Sequence, residues 1–261
     1  DGLWQFSGLM ADVRVYNNAL TADEVWALGG GPALPVGRWN FEDVNDGIVP
    51  DVAGGDDYGI LLGNTSIVEV NAPGGGTWMA AQFSDVNDQI ELVETGNLSP
   101  GVGPWSYSGW FQLDGIGEGN RCLYGERGGT GKWGPAAIVI AVNPAGELDL
   151  FFRDIASQAV NGVSSGLDIK NDVWNHLAVV RDGNDITAYL NGQSVLEQSG
   201  TLVDVDLAGV DATTPMGNYP RLGMGPNQLG QNQFSGLMDD VRVYKTALTA
   251  DEVLRISQGA L

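Results

Sequence analysis

The sequence has little positive charge, almost no cysteine or histidine, and no long apolar run. Lysine and arginine total 12 against 33 aspartate and glutamate residues, so the net charge of −21 repels nucleic acid backbones and anionic lipid surfaces. The one cysteine, Cys122, cannot form a disulfide framework within the chain, and the one histidine, His176, cannot form a histidine pair for zinc. Apolar residues come in runs too short for a membrane-spanning helix. We expect Cys122 to be buried and His176 to be a packed, hydrogen-bonded residue of a strand, and we expect no nucleic acid partner or membrane insertion.

Glycine, in contrast, is abundant. The chain has 39 glycines and only 17% charged residues, which suits short strands joined by tight turns better than helices. Short apolar or alternating runs, typical of strands, recur between glycine-rich breaks. They are residues 37–41, 79–83, 89–93, 105–113, 136–142, 147–152, 174–181, 186–190 and 240–244. These features predict an all-β protein.

One segment of the chain occurs twice. Residues 5–25 return as residues 233–253, with 18 of 21 positions identical. A copy this close indicates a structural unit duplicated in series. We therefore predict that residues 1–31 are the C-terminal strand and helix of a preceding repeat plus a linker. A complete domain follows at residues 35–258, after a boundary rich in glycine and proline.

Local signals predict a hairpin and a helix. Asn191-Gly192 tolerates the positive φ angles of a two-residue turn, so the runs on either side should pair as strands. Thr249 lies three residues before Glu252, which is the spacing of a capping box at a helix start. This pattern predicts one short C-terminal helix held down by the apolar residues that follow.

Four segments resemble the laminin-G-like, concanavalin A-like lectin/glucanase jelly-roll domains, particularly a bacterial branch that occurs in tandem repeats. Residues 37–43 are similar to the opening strand of that family, and residues 50–59 to its acidic glycine loop. Residues 172–192 are similar to its central hairpin, and residues 234–252 to its closing strand and helix. The resemblance implies a two-sheet antiparallel jelly-roll sandwich with one short C-terminal helix. In it, the closing strand ending at Tyr244 should pair with the opening strand around Trp39.

The resemblance also implies a structural calcium between the closing and opening strands. Asp239 stands at the position of the family's acidic residue, and Asp240, Glu42 and Asp43 would supply further carboxylates, which are ligands that calcium prefers.

The repeated segment complicates the calcium prediction. Ala11 stands in the first copy where Asp239 stands in the second, whereas Asp12 matches Asp240. Either the first repeat lacks the ion, or Asp240 is the ligand. The alternative is that these acidic residues cap turns or pair with Arg38 and Arg242 at a rim of the sandwich.

An enzymatic function is a weaker alternative. Laminarinase-type glycoside hydrolases of this fold carry Glu, Asp and Glu at alternate positions of one strand, and retaining hydrolysis needs two carboxyl groups. Glu147 and Asp149 match the first two positions, but Phe151 occupies the third, so the proton donor is missing. We predict an ordinary strand at a sheet edge, with Leu148, Leu150 and Phe152 inward, and no enzyme activity.

Three residues are candidates for binding a glycan, which requires aromatic platforms and hydrogen-bonding groups. Arg127 and Trp133 belong to a predicted loop at residues 125–135, and Arg153 follows on the next strand. Alternatively, Trp133 pins this loop onto the core.

These features predict a non-catalytic binding or adhesion module, secreted or at the cell surface, repeated in tandem. A glycan is the leading ligand, an extracellular protein is the second, and a purely structural or assembly repeat is the alternative. Neighbouring repeats are further partners, because residues 6–28 lack the rest of their sandwich and could exchange a strand with a neighbour.

Overall fold

The computed structural model describes residues 34–259 except for residues 86, 94–97, 99, 116–118, 129–135, 155, 165, 201–219 and 225–231; before residue 34 it describes only residues 13, 15, 16 and 19. The chain divides into two units, Asp1–Pro32 and Ala33–Leu261. The predicted strand and helix of a preceding repeat, the linker, and strand exchange through residues 6–28 lie almost wholly outside the described residues, so they stay predictions.

The described residues form sixteen strands and one helix. In chain order they are β1 Gly37–Trp39, β2 Ile48–Pro50, β3 Tyr58–Leu62, β4 Ser66–Asn71, β5 Thr77–Phe83, β6 Gln89–Val93, β7 Trp105–Leu113, β8 Arg121–Gly128, β9 Ala136–Val142, β10 Leu148–Arg153, β11 Ala159–Val163, β12 Trp174–Asp182, β13 Asp185–Leu190, β14 Gln193–Ser199, β15 Arg221–Leu222, β16 Gly236–Tyr244 and α1 Ala250–Ser257.

The strands form two antiparallel sheets packed as a sandwich. Sheet A has the order β14-β13-β12-β7-β16-β5-β4, with β1 also paired to β16, and sheet B has the order β11-β10-β9-β8-β15-β6-β3-β2. The predicted all-β, two-sheet antiparallel sandwich with a short C-terminal helix is thus confirmed. No helix among the described residues combines the length and apolar character needed to cross a lipid bilayer.

The opening and closing strands pair as predicted. In the register of β1 and β16, Arg38 lies opposite Arg242 and Trp39 opposite Val241. Further along β16, Met238 lies opposite Ala81 of β5 instead. On this side, β16 therefore pairs with β5 in its first part and with β1 in its second part. Residues 239–241 lie at the junction between these two partners.

The core lies between the sheets and follows the period-two pattern of the strands. Trp105, Tyr107, Phe111 and Leu113 of β7 all belong to it, whereas Trp110 does not. Leu148, Leu150 and Phe152 of β10 also point into the core, as predicted. Burial of each of these large apolar side chains stabilises the folded state by about 1.5–3 kcal/mol.

The helix covers part of the outer face of sheet A. Thr249 accepts a hydrogen bond from the Glu252 amide while the Glu252 side chain accepts one from the Thr249 amide, which confirms the capping box. The buried face of α1 packs on sheet A in a second apolar cluster: Ala178, Val180, Tyr244, Leu248, Val253 and Ile256. Asn191 and Gly192, with φ angles of 51° and 80°, form the predicted turn between β13 and β14.

Three expectations from the sequence are corrected. Strands β2, β3, β4, β8, β11 and β15 are not among the strands expected from the sequence. Arg127 lies in β8, opposite Ala137 of β9, and not in a loop. Strand β10 is not an edge strand, because β11 pairs with it on the outside.

Candidate functional site

Three tryptophans meet on the outer face of sheet A. The ring centroid of Trp78 lies 5.5 Å from that of Trp110 and 5.7 Å from that of Trp174, both in edge-to-face arrangement. All three side chains are half-buried. We call these residues the tryptophan cluster. It differs from the core aromatics because each of its residues is partly exposed to solvent.

The strands explain how the cluster forms. Trp110 is out of phase with the core residues of β7, so it points to the outer face, beside His176 of β12 in the strand register. Trp78 and Trp174 stand on β5 and β12, which are separated by β16 and β7. Three strand spacings amount to about 14 Å, so these two rings lean toward each other across the intervening strands. Gln112 of β7 lies opposite Trp174 in the strand register.

A charged group borders the cluster where β16 changes partner. The register of β16 against β7 shifts between Asp239 and Arg242, and Asp240 adopts a φ of 47° in this bulge. Its carboxylate accepts hydrogen bonds from Arg38 Nε at 2.7 Å and from Arg242 Nε at 3.1 Å, and also from Arg242 Nη2. Burial alone would raise the pKa of Asp240, but the two guanidinium groups hold it below its ordinary value. Asp240 is therefore an ionised counter-charge for two arginines.

Asp239 is in a different electrostatic position. It lies opposite Trp110 and is only 4% exposed. Burial, followed by the charges of Asp240 and Glu42, raises the pKa of Asp239 to about 8, although its Oδ1 accepts a hydrogen bond from the Asp240 amide. Glu42 is exposed, and its Oε1 accepts a hydrogen bond from the Met79 amide of β5 at 3.3 Å. Asp239 thus lies next to Trp110 in the strand register, and Glu42 lies near Asp239.

His176 lies beneath the cluster. Its ring centroid is 5.3 Å from that of Trp110, and its residue is 1% exposed. Burial, followed by the positive charge of Arg242, lowers the pKa of His176 to about 3, so the imidazole is neutral at physiological pH. Neither ring nitrogen has a hydrogen-bond partner among the described residues. The expected burial of His176 and of Cys122 is confirmed, whereas the expected hydrogen bonding of the His176 ring is not observed among the described residues. Burial also raises the pKa of the Cys122 thiol.

The four predicted calcium ligands do not come together as one site. Asp240 is committed to Arg38 and Arg242, as the rim alternative proposed. Across the described part of the chain, no group of three or more histidine, cysteine, aspartate or glutamate side chains is arranged to hold a metal ion. Asp239 and Glu42 lie near each other, while Asp43 is exposed. Calcium binding stays a prediction, and Asp240 does not fit as its ligand.

Two of the three predicted glycan-contacting residues lie in sheet B. Arg153 is in β10 of sheet B, where its guanidinium carbon is 5.7 Å from the ring centroid of Phe151. Arg127 is in β8 of the same sheet, and Trp133 lies outside the described residues. The tryptophan cluster, which belongs to sheet A, was not predicted from the sequence. The signal that could have revealed it is Trp110, the one aromatic residue of β7 that is out of phase with the core.

The carboxylates of the enzymatic alternative have structural partners. The Glu147 carboxylate accepts hydrogen bonds from Asn143 Nδ2 and the Gly166 amide, and these bonds lower its pKa. Asp149 Oδ2 accepts one from Asn120 Nδ2 at 2.7 Å. Phe151 follows two positions later on the same face of β10. This strand lacks the second glutamate of the hydrolase pattern.

The two-sheet topology and the open aromatic face define the class of protein, a jelly-roll sandwich of the lectin-like kind. A family model, described as the concanavalin A-like lectin/glucanases superfamily, matches residues 84–254. The chain belongs to this family, which confirms the resemblance seen in the sequence. A search of curated proteins finds no match to the sequence.

Solved structures agree with the fold. Domain 4 of AbnA, an extracellular GH43 arabinanase from Geobacillus stearothermophilus in complex with arabinotriose, is 20% identical with a TM-score of 0.63; the match covers 87% of this chain and 99% of that one. The botulinum neurotoxin serotype D ligand-binding domain in complex with N-acetylneuraminic acid is 12% identical with a TM-score of 0.64, over 87% and 51%. The binding domain of Paraclostridial Mosquitocidal Protein 1 is 15% identical with a TM-score of 0.63, over 86% and 52%. This chain therefore spans about half of each toxin domain.

Proposed function

We propose that this domain is a non-catalytic glycan-binding module and that the tryptophan cluster is its binding surface. The observation that carries the proposal is the position of Trp78, Trp110 and Trp174, three large aromatic residues that meet on a sheet face and remain partly exposed. Apolar ring faces with a few convergent polar groups are typical of small-ligand sites. Gln112, Asp239 and Glu42 supply such polar groups next to the rings.

The similar structures support a carbohydrate as the ligand class. One was solved with arabinotriose and another with N-acetylneuraminic acid. The identities are too low to transfer a particular sugar, so the ligand class rests on the fold together with the aromatic surface.

The non-catalytic part of the proposal rests on β10. Phe151 stands where the hydrolase pattern needs a second glutamate. The hydrogen bonds that lower the pKa of Glu147 also make it a poor proton donor, because a general acid needs a raised pKa.

A tandem, extracellular setting completes the proposal. The near-identical segments at residues 5–25 and 233–253 favour an array of repeats, in which weak contacts add by avidity. Secretion or display at the cell surface agrees with an extracellular arabinanase and toxins as the proteins of similar structure. A structural calcium also remains part of the proposal, with Asp239 and Glu42 as the carboxyl groups left to hold it.

Binding measurements on variants test this function. The protein is screened against immobilised arabinan, laminarin, galactomannan, polygalacturonate and sialyllactose, and the ligands that bind are measured by calorimetry. We expect Trp110→Ala and Trp174→Ala each to weaken binding at least about tenfold, or about 1.4 kcal/mol. Trp133→Ala and Arg153→Ala are the matched controls and should bind as wild type. Circular dichroism melts identify any variant that fails to fold.

Three outcomes would contradict the proposal. Loss of binding in Trp133→Ala or Arg153→Ala, with Trp110→Ala and Trp174→Ala unaffected, would place the site elsewhere. Release of reducing sugar from arabinan or laminarin would show an enzyme. Binding to none of the glycans would favour the second candidate function, a structural or assembly repeat, which the repeated segment supports; a solution mass above that of the monomer would then identify assembly.

A further inference from the structure

We infer that a saccharide bound at the tryptophan cluster continues across sheet A as an extended chain, and that Gln82 forms a further subsite for the sugar units beyond the cluster. This inference rests on the proposed glycan-binding function and adds the length and the direction of the ligand to it. The subsite lies on the sheet that does not contain β10, the strand of the enzymatic alternative.

Five residues form a line across sheet A. Trp174 of β12 lies opposite Gln112 of β7, and Gln112 lies opposite Leu237 of β16. Leu237 in turn lies opposite Gln82 of β5, and Gln82 lies opposite Ser66 of β4, the last strand in the order of this sheet. We call these five residues the cross-strand row. It crosses four strand spacings, or about 19 Å, which is room for several sugar units.

The cross-strand row faces outward. Directly opposite residues of paired strands place their side chains on one face of a sheet, and Gln112 shares the face of Trp110, two positions before it. The neighbours of the row on β7, β16 and β5 point the other way, into the core: Phe111, Leu113, Met238, Ala81 and Phe83. Gln82 and Ser66 are exposed, and the other three members of the row are half-buried.

On one side of the row, the nearest residues of the same face are closed off from solvent. His176, Asp239 and Ala80 each stand two positions from a row member on their own strands, and they are 1%, 4% and 0% exposed. On the other side, β12 and β4 begin at the row itself. Trp174 belongs both to the row and to the tryptophan cluster, so the two surfaces are continuous. A ligand that extends from the cluster therefore meets open side chains along the row.

The side chains of the row suit a chain rich in hydroxyl groups. A primary amide has two N–H donors and a carbonyl acceptor, so Gln112 and Gln82 can each donate to and accept from sugar hydroxyls. Leu237 lies between them and offers apolar contact to a sugar ring, and Ser66 adds a hydroxyl. Apolar contacts combined with a few hydrogen-bonding groups are typical of ligand sites.

The spacing along the row makes binding depend on ligand length. Trp174 and Gln82 are separated by three strand spacings, or about 14 Å. A disaccharide at Trp174 should therefore not reach Gln82, whereas a longer chain should contact both.

Oligosaccharides of two lengths test the inference by calorimetry. Wild type, Gln82→Ala and Gln193→Ala are each measured with laminaribiose and laminarihexaose, with arabinobiose and arabinohexaose, and with mannobiose and mannohexaose. Gln193→Ala is the matched control, because Gln193 is an exposed glutamine of β14, at the opposite end of the strand order of sheet A. Circular dichroism melts show whether each variant is folded.

The expected result is a hexasaccharide that binds at least about tenfold more tightly than its disaccharide in at least one series. Gln82→Ala should weaken binding of that hexasaccharide about fivefold, since a neutral hydrogen bond contributes a factor of roughly two to ten. The same variant should bind the disaccharide as wild type does, and Gln193→Ala should leave both affinities unchanged.

Two results would overturn the inference while keeping glycan binding. One is a disaccharide that binds as tightly as its hexasaccharide in every series that binds. The other is a Gln82→Ala variant that has wild-type affinity for the hexasaccharide, or that loses affinity equally for both lengths. Failure to bind any of these oligosaccharides would also overturn the inference, and the proposed function fails with it only if none of the immobilised glycans is bound.

Discussion

The two ends of the outer face of sheet A are covered in different ways. At one end, which we call the helix end, α1 buries Ala178, Val180 and Tyr244. At the other, the tryptophan end, Trp110 and Trp174 stand on the same strands but remain half-exposed. Strands β7, β12 and β16 run through both ends, so one face carries both a closed contact and an open one.

The helix and the three tryptophans shield the sheet to different degrees. A sheet face must be shielded from water, and a capped helix with an apolar stripe does so completely. Three tryptophans shield the other end only in part and leave apolar ring surface open. The charged pairs of Arg38, Asp240 and Arg242 separate the two ends. Stability should therefore depend mainly on the helix end, and binding on the tryptophan end.

The largest expected effect comes from a charge placed at the helix end. Val253 is fully buried between α1 and sheet A. Val253→Asp should lower the free energy of unfolding by about 4–5 kcal/mol, because it buries an unpaired charge. Urea unfolding measures this loss.

The control for that variant is Gln258→Ala, at the exposed end of the helix, which should stay within about 0.5 kcal/mol of wild type. Glycan affinity of the folded fraction of Val253→Asp should equal that of wild type. A comparable loss of affinity per folded molecule would show that the two ends are coupled. Stability and binding would then not depend on separate ends of the sheet.

Several parts of the fold were predictable from local sequence. A few consecutive residues are enough to predict the Asn191-Gly192 turn, the capping box and the alternation of β7 and β10. The pairing of β1 with β16 followed from family resemblance, since these strands lie about 200 residues apart. Strands such as β11, with its sequence Ala-Val-Asn-Gly-Val, lack clear alternation, so only the neighbouring strand β10 defines them.

The candidate site was less predictable than the fold. The ion pairs of Asp240 with Arg38 and Arg242 were foreseen as the alternative to calcium. The tryptophan cluster was not, because Trp78 and Trp174 are 96 positions apart and meet only through the strand order of sheet A. Arg127 and Arg153 were selected as a basic pair near an aromatic residue, and the structure places both in sheet B.

A second, smaller effect at the helix end is expected from Gly192→Ala. Gly192 has a φ of 80°, and a Cβ there would lie 2.7 Å from Leu254 Cδ1 of α1 and 2.8 Å from Ser257 Oγ. Strain at positive φ costs about 1–2 kcal/mol, and displacing the helix adds to it. We expect a loss of about 3 kcal/mol by urea unfolding. Gly183→Ala is the control, since it also has positive φ (60°) but meets no atom within 4 Å; an equal loss in both variants would show that helix contact is irrelevant.

At the tryptophan end, Asp239→Asn should change how stability depends on pH. The pKa of Asp239 is about 8 in the folded chain, against an ordinary 3.8. Between these values the folded state holds a proton that the unfolded state releases, so wild-type stability falls as pH rises from about 4 to about 8. Asparagine has no such titration and keeps an oxygen for the Asp240 amide. The stability of Asp239→Asn relative to wild type should therefore increase by about 2 kcal/mol from pH 6 to pH 8.

A calcium ion bound by Asp239 would have the opposite effect on the stability of Asp239→Asn relative to wild type. If Asp239 ligates the ion, chelator lowers the melting temperature of wild type at pH 8, whereas Asp239→Asn melts below calcium-loaded wild type and does not respond to chelator. The repeated segment provides a natural comparison, because Ala11 occupies this position in the first copy. Asp239→Ala should also fail to respond to calcium if Asp239 is a ligand, and thermal melts of wild type and both variants with and without added calcium distinguish the two cases.

The smallest expected effect is on sheet B. Arg153 packs over Phe151 at 5.7 Å and is half-buried, and this contact is worth about 0.5–1 kcal/mol. Arg153→Ala should therefore reduce the free energy of unfolding by about that amount and leave glycan affinity unchanged, because the tryptophan cluster lies on the other sheet. Arg153→Lys, which keeps the charge but not the planar group, should bind equally well. If both variants lose affinity in calorimetry while Trp110→Ala does not, the tryptophan cluster only shields sheet A from water. The glycan would then bind to sheet B.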